Sequence, residues 1–348
     1  MIIISSWRRW HSTKTSSVLS NRGGPLTQNQ PVPKSLPAAS IIKLGRFTWT
    51  TMWQVMMSQM APRSKTGAYV RPESVFRGTI DADHPAAAGR YRLFVGMGCP
   101  WAHRTLIVRA LKGLEAAIDI SIVVPSADDG RWLLTEPYLN CQNMPELYQT
   151  ASPGFKGRST VPILFDETTK TIINNESAEI IEILNAEFNE FATHGDLDLY
   201  PAAGKAEIDR WNAQIYPSVN NGVYRCGFAQ TQAAYDEAVN ELFGMLDTID
   251  DHLANQSFLW GEQITLADVR LFTTLIRFDS AYHGLFKCSR RRIRDYANLS
   301  QYVQRIYQLP GVADTCDFQA IQQDYYGNLF PLNPGGIVPT PVDMSWLA

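Results

Sequence analysis

The sequence predicts a compact α/β unit over residues 88–190 followed by an all-α domain over residues 201–330. Three observations carry this expectation. Short runs of aromatic and β-branched residues bounded by Gly or Pro, the mark of strands, all lie between Tyr91 and Ile173. Stretches with helical spacing of apolar residues alternate with those runs. Beyond residue 201 the strand runs vanish and helical spacing alone remains. The 348 residues are 45% hydrophobic and 19% charged, which excludes a mainly disordered or collagen-like chain. At roughly 150 residues per domain, that length suits about two domains.

The elements follow in order. Residues 91–95 (Tyr-Arg-Leu-Phe-Val) form a strand that Gly96-Met-Gly-Cys-Pro100 breaks, and residues 105–111 continue as a helix closed by Gly113. Residues 118–124 are a second strand, stopped by Pro125. After a long irregular stretch, residues 161–165 and 171–173 read as two further strands joined by a turn at 167–170, and residues 176–184 as an amphipathic helix. The order is β-α-β, long loop, β-β-α. In the second half, helical spacing covers residues 206–216, 232–253, 266–277 and 299–309. Thr265-Leu-Ala-Asp268 is a capping box, with Ile264 and Val269 placed as a hydrophobic staple. There is no internal repeat.

The front of the chain differs from the rest. Formal charge is −3 overall, but residues 1–72 carry ten Lys or Arg and no acid, which leaves 21 basic against 34 acidic residues in the remainder. The total charge gives no reason to expect nucleic acid. Residues 1–17 are rich in Ser and Arg and free of acid, the composition of an organelle transit peptide. Residues 1–40 are accordingly expected to be a mitochondrial transit peptide and linker, the alternatives being a plastid address or a basic tail on a cytosolic protein. Only three apolar residues follow Met1, against the 7–15 or so of a secretory signal core. Residues 41–87, with Phe47, Trp49 and Trp53 and several turn signals, read as an arm packed on the body, and residues 331–348 as a tail. No stretch reaches the roughly 18 apolar residues of a membrane span; the nearest, residues 47–61, is interrupted by Thr, Gln and Ser.

Five cysteines (Cys99, Cys141, Cys226, Cys288, Cys316) form no CxxC pair and no even framework, which fits a reducing compartment. None of the six histidines pairs with a cysteine at zinc-ligand spacing, and Gly96-Met-Gly98 lacks the third glycine and the Lys-Ser/Thr end of a phosphate loop. No metal is expected.

Cys99 is the informative cysteine. It falls between the first strand and the first helix, at the helix N-cap with Pro100 in the first helical position. Unpaired amides and the helix dipole favour an anion there, so a lowered thiol pKa is expected. A thiol moved from about 8.5 to about 6 is roughly thirtyfold richer in thiolate at neutral pH. Ala102 occupies the place of a second cysteine, so a CxxC disulfide cycle is excluded and a monothiol that forms a mixed disulfide with an outside thiol remains. His103 and Arg104 stand past the first helical turn, where they either steady the thiolate or anchor a domain interface.

Cys-Pro-Trp-Ala-His-Arg at 99–104, Thr-Val-Pro at 160–162, Asn-Glu-Ser at 175–177, Asn-Asn-Gly-Val-Tyr at 220–224 and Asn-Pro-Gly-Gly-Ile-Val-Pro at 333–339 resemble the glutathionyl-hydroquinone reductases. These are the cysteine-type, Xi-class branch of the glutathione transferases, related to the Omega class. The resemblance runs from about residue 45 to 340 and takes in residues 272–279, Phe286-Lys-Cys288 and Tyr325-Tyr-Gly327. Phe165 departs from it, standing where the family has Trp. The resemblance implies a thioredoxin-like glutathione domain and an all-helical glutathione-transferase domain that offers the acceptor side. By resemblance, Pro162 is a cis proline, and Val161 before it pairs its backbone with glutathione; on the residues alone, an edge-strand proline is the plainer alternative. Glu176 and Ser177 open a helix, and the resemblance sets them on the γ-glutamyl group; helix capping alone is the plainer alternative. Trp132 matches a position that covers glutathione, with Arg131 beside it as a weaker candidate. Tyr224 and one of Tyr325 and Tyr326 would bond the hydroxyls of a quinol ring, a tyrosine hydroxyl offering a proton. The sequence does not say which of the pair points inward.

The implied reaction is reduction of a glutathionyl-hydroquinone. Cys99 attacks the glutathione sulfur, hydroquinone leaves, and a second glutathione resolves the mixed disulfide. Glutathione is then the co-substrate and a homodimer the expected assembly. Two alternatives stand: an Omega-type thioltransferase or dehydroascorbate reductase, and a non-catalytic carrier of aromatic ligands, since a fold does not settle a function.

Overall fold

The computed structural model describes residues 38–348. The proposed transit peptide and most of the linker lie outside them. The described chain falls into two compact units divided after Thr50, the first of which contributes the front half of a helix, α1, Ala38–Met60.

That helix is a correction, since its stretch reads as an arm with turn signals. Its Ile, Thr, Trp and Phe residues have middling helix propensity, and its first turn carries no acidic residue and its last no basic one. Within the second unit the arm does pack as expected. Met57 and Ala61 are fully buried in the core. The Gly78 amide donates to the Ile173 carbonyl, and a bridge joins Arg77 to Asn174.

The second unit opens on β1 (Tyr91–Val95), α2 (Pro100–Lys112) and β2 (Ile118–Pro125), with β1 and β2 parallel and Tyr91 opposite Ile118. Four of the five β1 residues are buried, as a central strand requires. Gly113 closes α2 in the left-handed conformation at φ 64°, which a glycine adopts without steric cost. The stretch expected to be irregular holds β3 (Trp132–Tyr138), β4 (Cys141–Asn143) and α3 (Met144–Ala151). A proline inside β3 and the lack of apolar alternation hide this hairpin from a pattern reading. β5 (Ile163–Asp166), β6 (Thr171–Asn174) and α4 (Ser177–Ala186) complete the unit. The sheet order is β4-β3-β2-β1-β5-β6, with β5 antiparallel to β1. Phe165 meets Phe94 and Tyr138 edge-on at 5.8 and 5.7 Å, so the departure from Trp is a core packing position.

The helical domain comprises α5 (Lys205–Ile215), α6 (Gly222–Gly227), α7 (Gln232–His252), α8 (Leu266–Arg277), the short α9 (His283–Leu285), α10 (Ala297–Tyr307) and α11 (Phe318–Gln322). The four helices expected from spacing are present within two residues at each end. The capping box of α8 is formed, and buried Asp268 also accepts from the Leu259 amide and the Tyr302 hydroxyl at 2.8 and 2.9 Å. Three π-helical turns, Tyr216–Asn220, Phe278–Tyr282 and Gln323–Gly327, extend α5, α8 and α11. No apolar period announces such turns, and they are frequent at functional sites.

Candidate active site

Cys99 caps α2 with extended backbone, and Pro100 follows as the first helical residue. Its Sγ is half-buried and lies 3.8 Å from the Val161 carbonyl. The Val161–Pro162 peptide is cis, as the resemblance implied. Burial pushes the Cys99 thiol up; the amides of Ala102 and Trp101 and the charges of Arg277 and Arg71 pull it down but do not overcome it. This corrects the expected depression. Helix-end amides act on the sulfur as foreseen, but surrounding protein withdraws more solvation from a thiolate than they restore.

An open cavity of about 230 Å³ lies over the sulfur. Cys99, Trp132, Tyr224 and Tyr325 all line it, together with Asp324 and Leu329. The α/β unit brings Cys99 and Trp132, and the helical domain brings the tyrosines. The Tyr325 hydroxyl sits between those of Tyr224, at 2.6 Å, and Tyr282, at 2.8 Å. Burial pushes all three tyrosine pKa values up, that of Tyr282 to about 12, so each hydroxyl stays protonated at neutral pH. Tyr326 points elsewhere. Its hydroxyl lies over Gly284, whereas Tyr325 lines the Cys99 cavity, so of the pair it is Tyr325 that faces the sulfur's cavity.

The strand-to-helix loop under Cys99 is held from the helical domain. Arg277, fully buried at the end of α8, donates to the Gly98 and Met97 carbonyls, each at 3.0 Å. Arg277 also donates to His103 Nδ1 at 2.7 Å, which leaves the proton of the neutral imidazole on Nε2, 2.8 Å from the Thr315 hydroxyl. Burial and then the Arg277 charge hold His103 well below the usual histidine range. His103 is therefore an interface anchor, and the reading in which it steadies the thiolate is set aside. Gly98 has its own constraint: a side chain there would collide with the Asp324 carboxylate.

Glu176 and Ser177 stand at the start of α4, away from the Cys99 cavity. The Glu176 carboxylate accepts from the Ala178 amide at 3.1 Å and the Ser74 hydroxyl at 2.9 Å, capping its own helix. It lines a second cavity of about 270 Å³ with Arg77, Arg104, Tyr216 and Arg270. Arg104 is buried, donates to Ser177 Oγ at 3.3 Å and to Asn220 Oδ1 at 3.0 Å, and has its pKa pulled down to about 9 by burial. The Trp101 ring stands between a tyrosine of each cavity. It lies 6.2 Å from both Tyr224 and Tyr216, with the Arg71 and Arg104 guanidiniums over it at 3.9 and 4.5 Å. Arg131 is not drawn into either cavity; it is half-exposed and donates to Asp129 at 2.6 Å. Sequence reasoning missed Tyr282, Asp324, Arg71 and the loop-holding role of Arg277. Arg277 lies within the quoted stretch 272–279 and Asp324 directly precedes the tyrosine pair, but neither position alone signals a partner far away in sequence. Among the described residues no cluster of His, Cys, Asp and Glu could hold a metal ion, and no helix is long and apolar enough to cross a membrane.

What this geometry offers is one nucleophilic sulfur between a glutathione-type α/β surface and a hydroxyl-lined aromatic wall. Comparison with known proteins finds the same pairing. Residues 98–187 match the glutathione S-transferase N-terminal domain and residues 232–305 the C-terminal domain. The chain is 46% identical to the glutathionyl-hydroquinone reductase PcpF of Sphingobium chlorophenolicum, over 80% of this chain and 90% of that protein. It is 42% identical to the glutathionyl-hydroquinone reductase YqjG of Escherichia coli K12, over 79% and 89%. The glutathione-bound structure of YqjG superposes with a TM-score of 0.75, covering 79% of this chain and 94% of that one at 40% identity. The Xi glutathione S-transferase of Phanerochaete chrysosporium gives 0.77 at 42% identity, covering 80% and 96%.

Proposed function

Since the chain belongs to the glutathionyl-hydroquinone reductases, the Xi-class glutathione S-transferases, we propose that it reduces glutathionyl-hydroquinones to hydroquinones with glutathione as co-substrate. The observation that carries the reading is Cys99 at the helix N-cap, without a second cysteine in its turn, facing Tyr224 and Tyr325 across one cavity.

The Cys99 thiolate attacks the glutathione sulfur of the substrate. The carbon–sulfur pair passes to the ring carbon, which takes a proton, and hydroquinone leaves. Cys99 then carries glutathione as a mixed disulfide. A second glutathione attacks it as thiolate, releasing oxidised glutathione and restoring Cys99. Trp132, on the α/β side, supports a role in covering glutathione, and the Val161 carbonyl beside Sγ supports backbone pairing with it. Glu176 and Ser177 at the α4 N-terminus suit the γ-glutamyl end. Tyr224 and Tyr325 orient the ring through protonated hydroxyls. Arg131 is left without support. The test is turnover of a glutathionyl-hydroquinone with excess glutathione. Wild type is expected to release hydroquinone and oxidised glutathione and Cys99→Ala to release neither; full turnover by Cys99→Ala contradicts the mechanism. Faster reduction of dehydroascorbate than of the quinol conjugate would favour an Omega-type reductase instead.

The basic, acid-free first 72 residues support a mitochondrial address, checked by fractionation of cells carrying a tagged full-length chain. A homodimer follows from the family resemblance and is checked by sedimentation equilibrium.

A further inference from the structure

The reaction requires a proton to leave Cys99, a proton to reach the ring carbon, and a proton to leave the second glutathione. The tyrosines are poorly suited to carry all three. Burial raises their pKa values far into the alkaline range, so a tyrosinate is an unfavourable intermediate in this cavity. Cys99 needs help as well, because burial also raises its thiol.

One carboxyl lines the Cys99 cavity. Asp324, on the π-helical turn after α11, is half-buried, and its carboxylate lies against Gly98. Gly98 immediately precedes Cys99, and any side chain there would displace the carboxylate. Tyr325, the next residue, is the central hydroxyl of the tyrosine trio. Sulfur, carboxyl and ring-orienting hydroxyl thus line one space, into which the substrate's sulfur and ring must both enter.

We propose that Asp324 is the proton-transfer group of this cavity, taking the Cys99 proton and returning it to the ring carbon. The proposal rests on the reductase reading. In the first half-reaction the Asp324 carboxylate accepts the thiol proton. The thiolate then attacks the glutathione sulfur, the carbon–sulfur bond breaks with its electron pair on the ring carbon, and the Asp324 carboxyl protonates that carbon. In the second, the carboxylate accepts the proton of the incoming glutathione and passes it to the departing Cys99 sulfur. Protons and electrons balance: the ring gains two electrons and one proton, Cys99 and the second glutathione supply the electrons, and Asp324 ends as it began.

The surroundings suit this task. Burial raises the Asp324 pKa to about 6, Arg277 and the Gly98 amide oppose that rise, and Asp317 adds to it. Cys99, Tyr224 and Tyr325 are the other titratable groups lining the cavity. Since the folded pKa is raised, Asp324 is a carboxylate above about pH 6 and a carboxyl below it, close to the working range that acid–base exchange favours.

Asp324→Asn keeps the shape and removes the titratable carboxyl. Its kcat/KM for a glutathionyl-hydroquinone at pH 7 is expected to fall about 10²-fold. The wild-type acid limb near pH 6 should vanish, leaving activity that climbs with pH until the thiol itself ionises. Iodoacetamide labelling of Cys99, followed by peptide mass against pH, should show the same loss without any quinol substrate. Asp324→Glu should restore the limb, and carries the test if Asp324→Asn does not fold. Unchanged pH profiles for turnover and for labelling in Asp324→Asn, or an Asp324→Glu that lacks the limb, would overturn the proposal. A wild type that never turns over a glutathionyl-hydroquinone but still shows the labelling limb overturns the reductase reading and leaves the Asp324–Cys99 exchange standing.

Discussion

The two walls of the Cys99 cavity are made differently. The α/β wall is built around one local motif: Cys99, Pro100 and the strand-to-helix break stand within a few residues, joined by Trp132 and by Val161–Pro162 from the loop before β5, Val161 lying 62 residues on. The helical wall is assembled from afar. Tyr224 comes from α6, Tyr282 and Arg277 from the end of α8, and Asp324 and Tyr325 from the turn after α11, up to 101 residues apart in sequence. The first wall supplies the nucleophile and the second sets the environment in which it works. Changes on the first should therefore abolish chemistry, and changes on the second should alter rate, pH dependence and stability together.

Replacing Cys99 by Ser is expected to lower turnover of a glutathionyl-hydroquinone at least about 10³-fold with the melting temperature little changed; residual activity within tenfold would break the division. Tyr325→Phe removes the hydroxyl that joins Tyr224 to Tyr282. Leaving two buried hydroxyls short of a partner costs roughly 1–3 kcal/mol of stability, and a rate loss of about 10²-fold is expected with it. Denaturant unfolding and kcat/KM read the two effects separately. Arg277→Met strips the Gly98 and Met97 carbonyls of their buried donor and should cost roughly 1–3 kcal/mol while raising KM, as the loop under Cys99 loosens. The smallest effects sharpen the comparison: Tyr326→Phe and Arg131→Ala should each stay within about twofold of wild-type kcat/KM. A tenfold loss in either would show that the cavity extends beyond the residues named.

The same division explains what the sequence makes legible. Cys99 at an N-cap, the Thr265–Asp268 box and the Gly113 stop are local patterns whose physics operates within one turn, and each is present in the structure. The β3–β4 hairpin hides behind a proline, and α1 lacks charged residues in its terminal turns. The π-helical turns that aim Tyr282, Asp324 and Tyr325 have no periodic signature at all. Tyr224 and the 325–326 pair were reachable through family resemblance, but choosing Tyr325 required the three-dimensional fold. The thiol pKa shows the limit most plainly. Helix-end amides can be read from sequence, whereas the burial that outweighs them depends on a wall delivered by distant segments.

The most direct test of the central claim is a single turnover with stoichiometric glutathionyl-hydroquinone and no free glutathione, read by intact and peptide mass alongside hydroquinone release. The account predicts one hydroquinone released per glutathione adduct found on Cys99, with the adduct removed by later addition of glutathione. Hydroquinone release with no adduct on Cys99, or with the adduct on Cys316 or another cysteine, would contradict it.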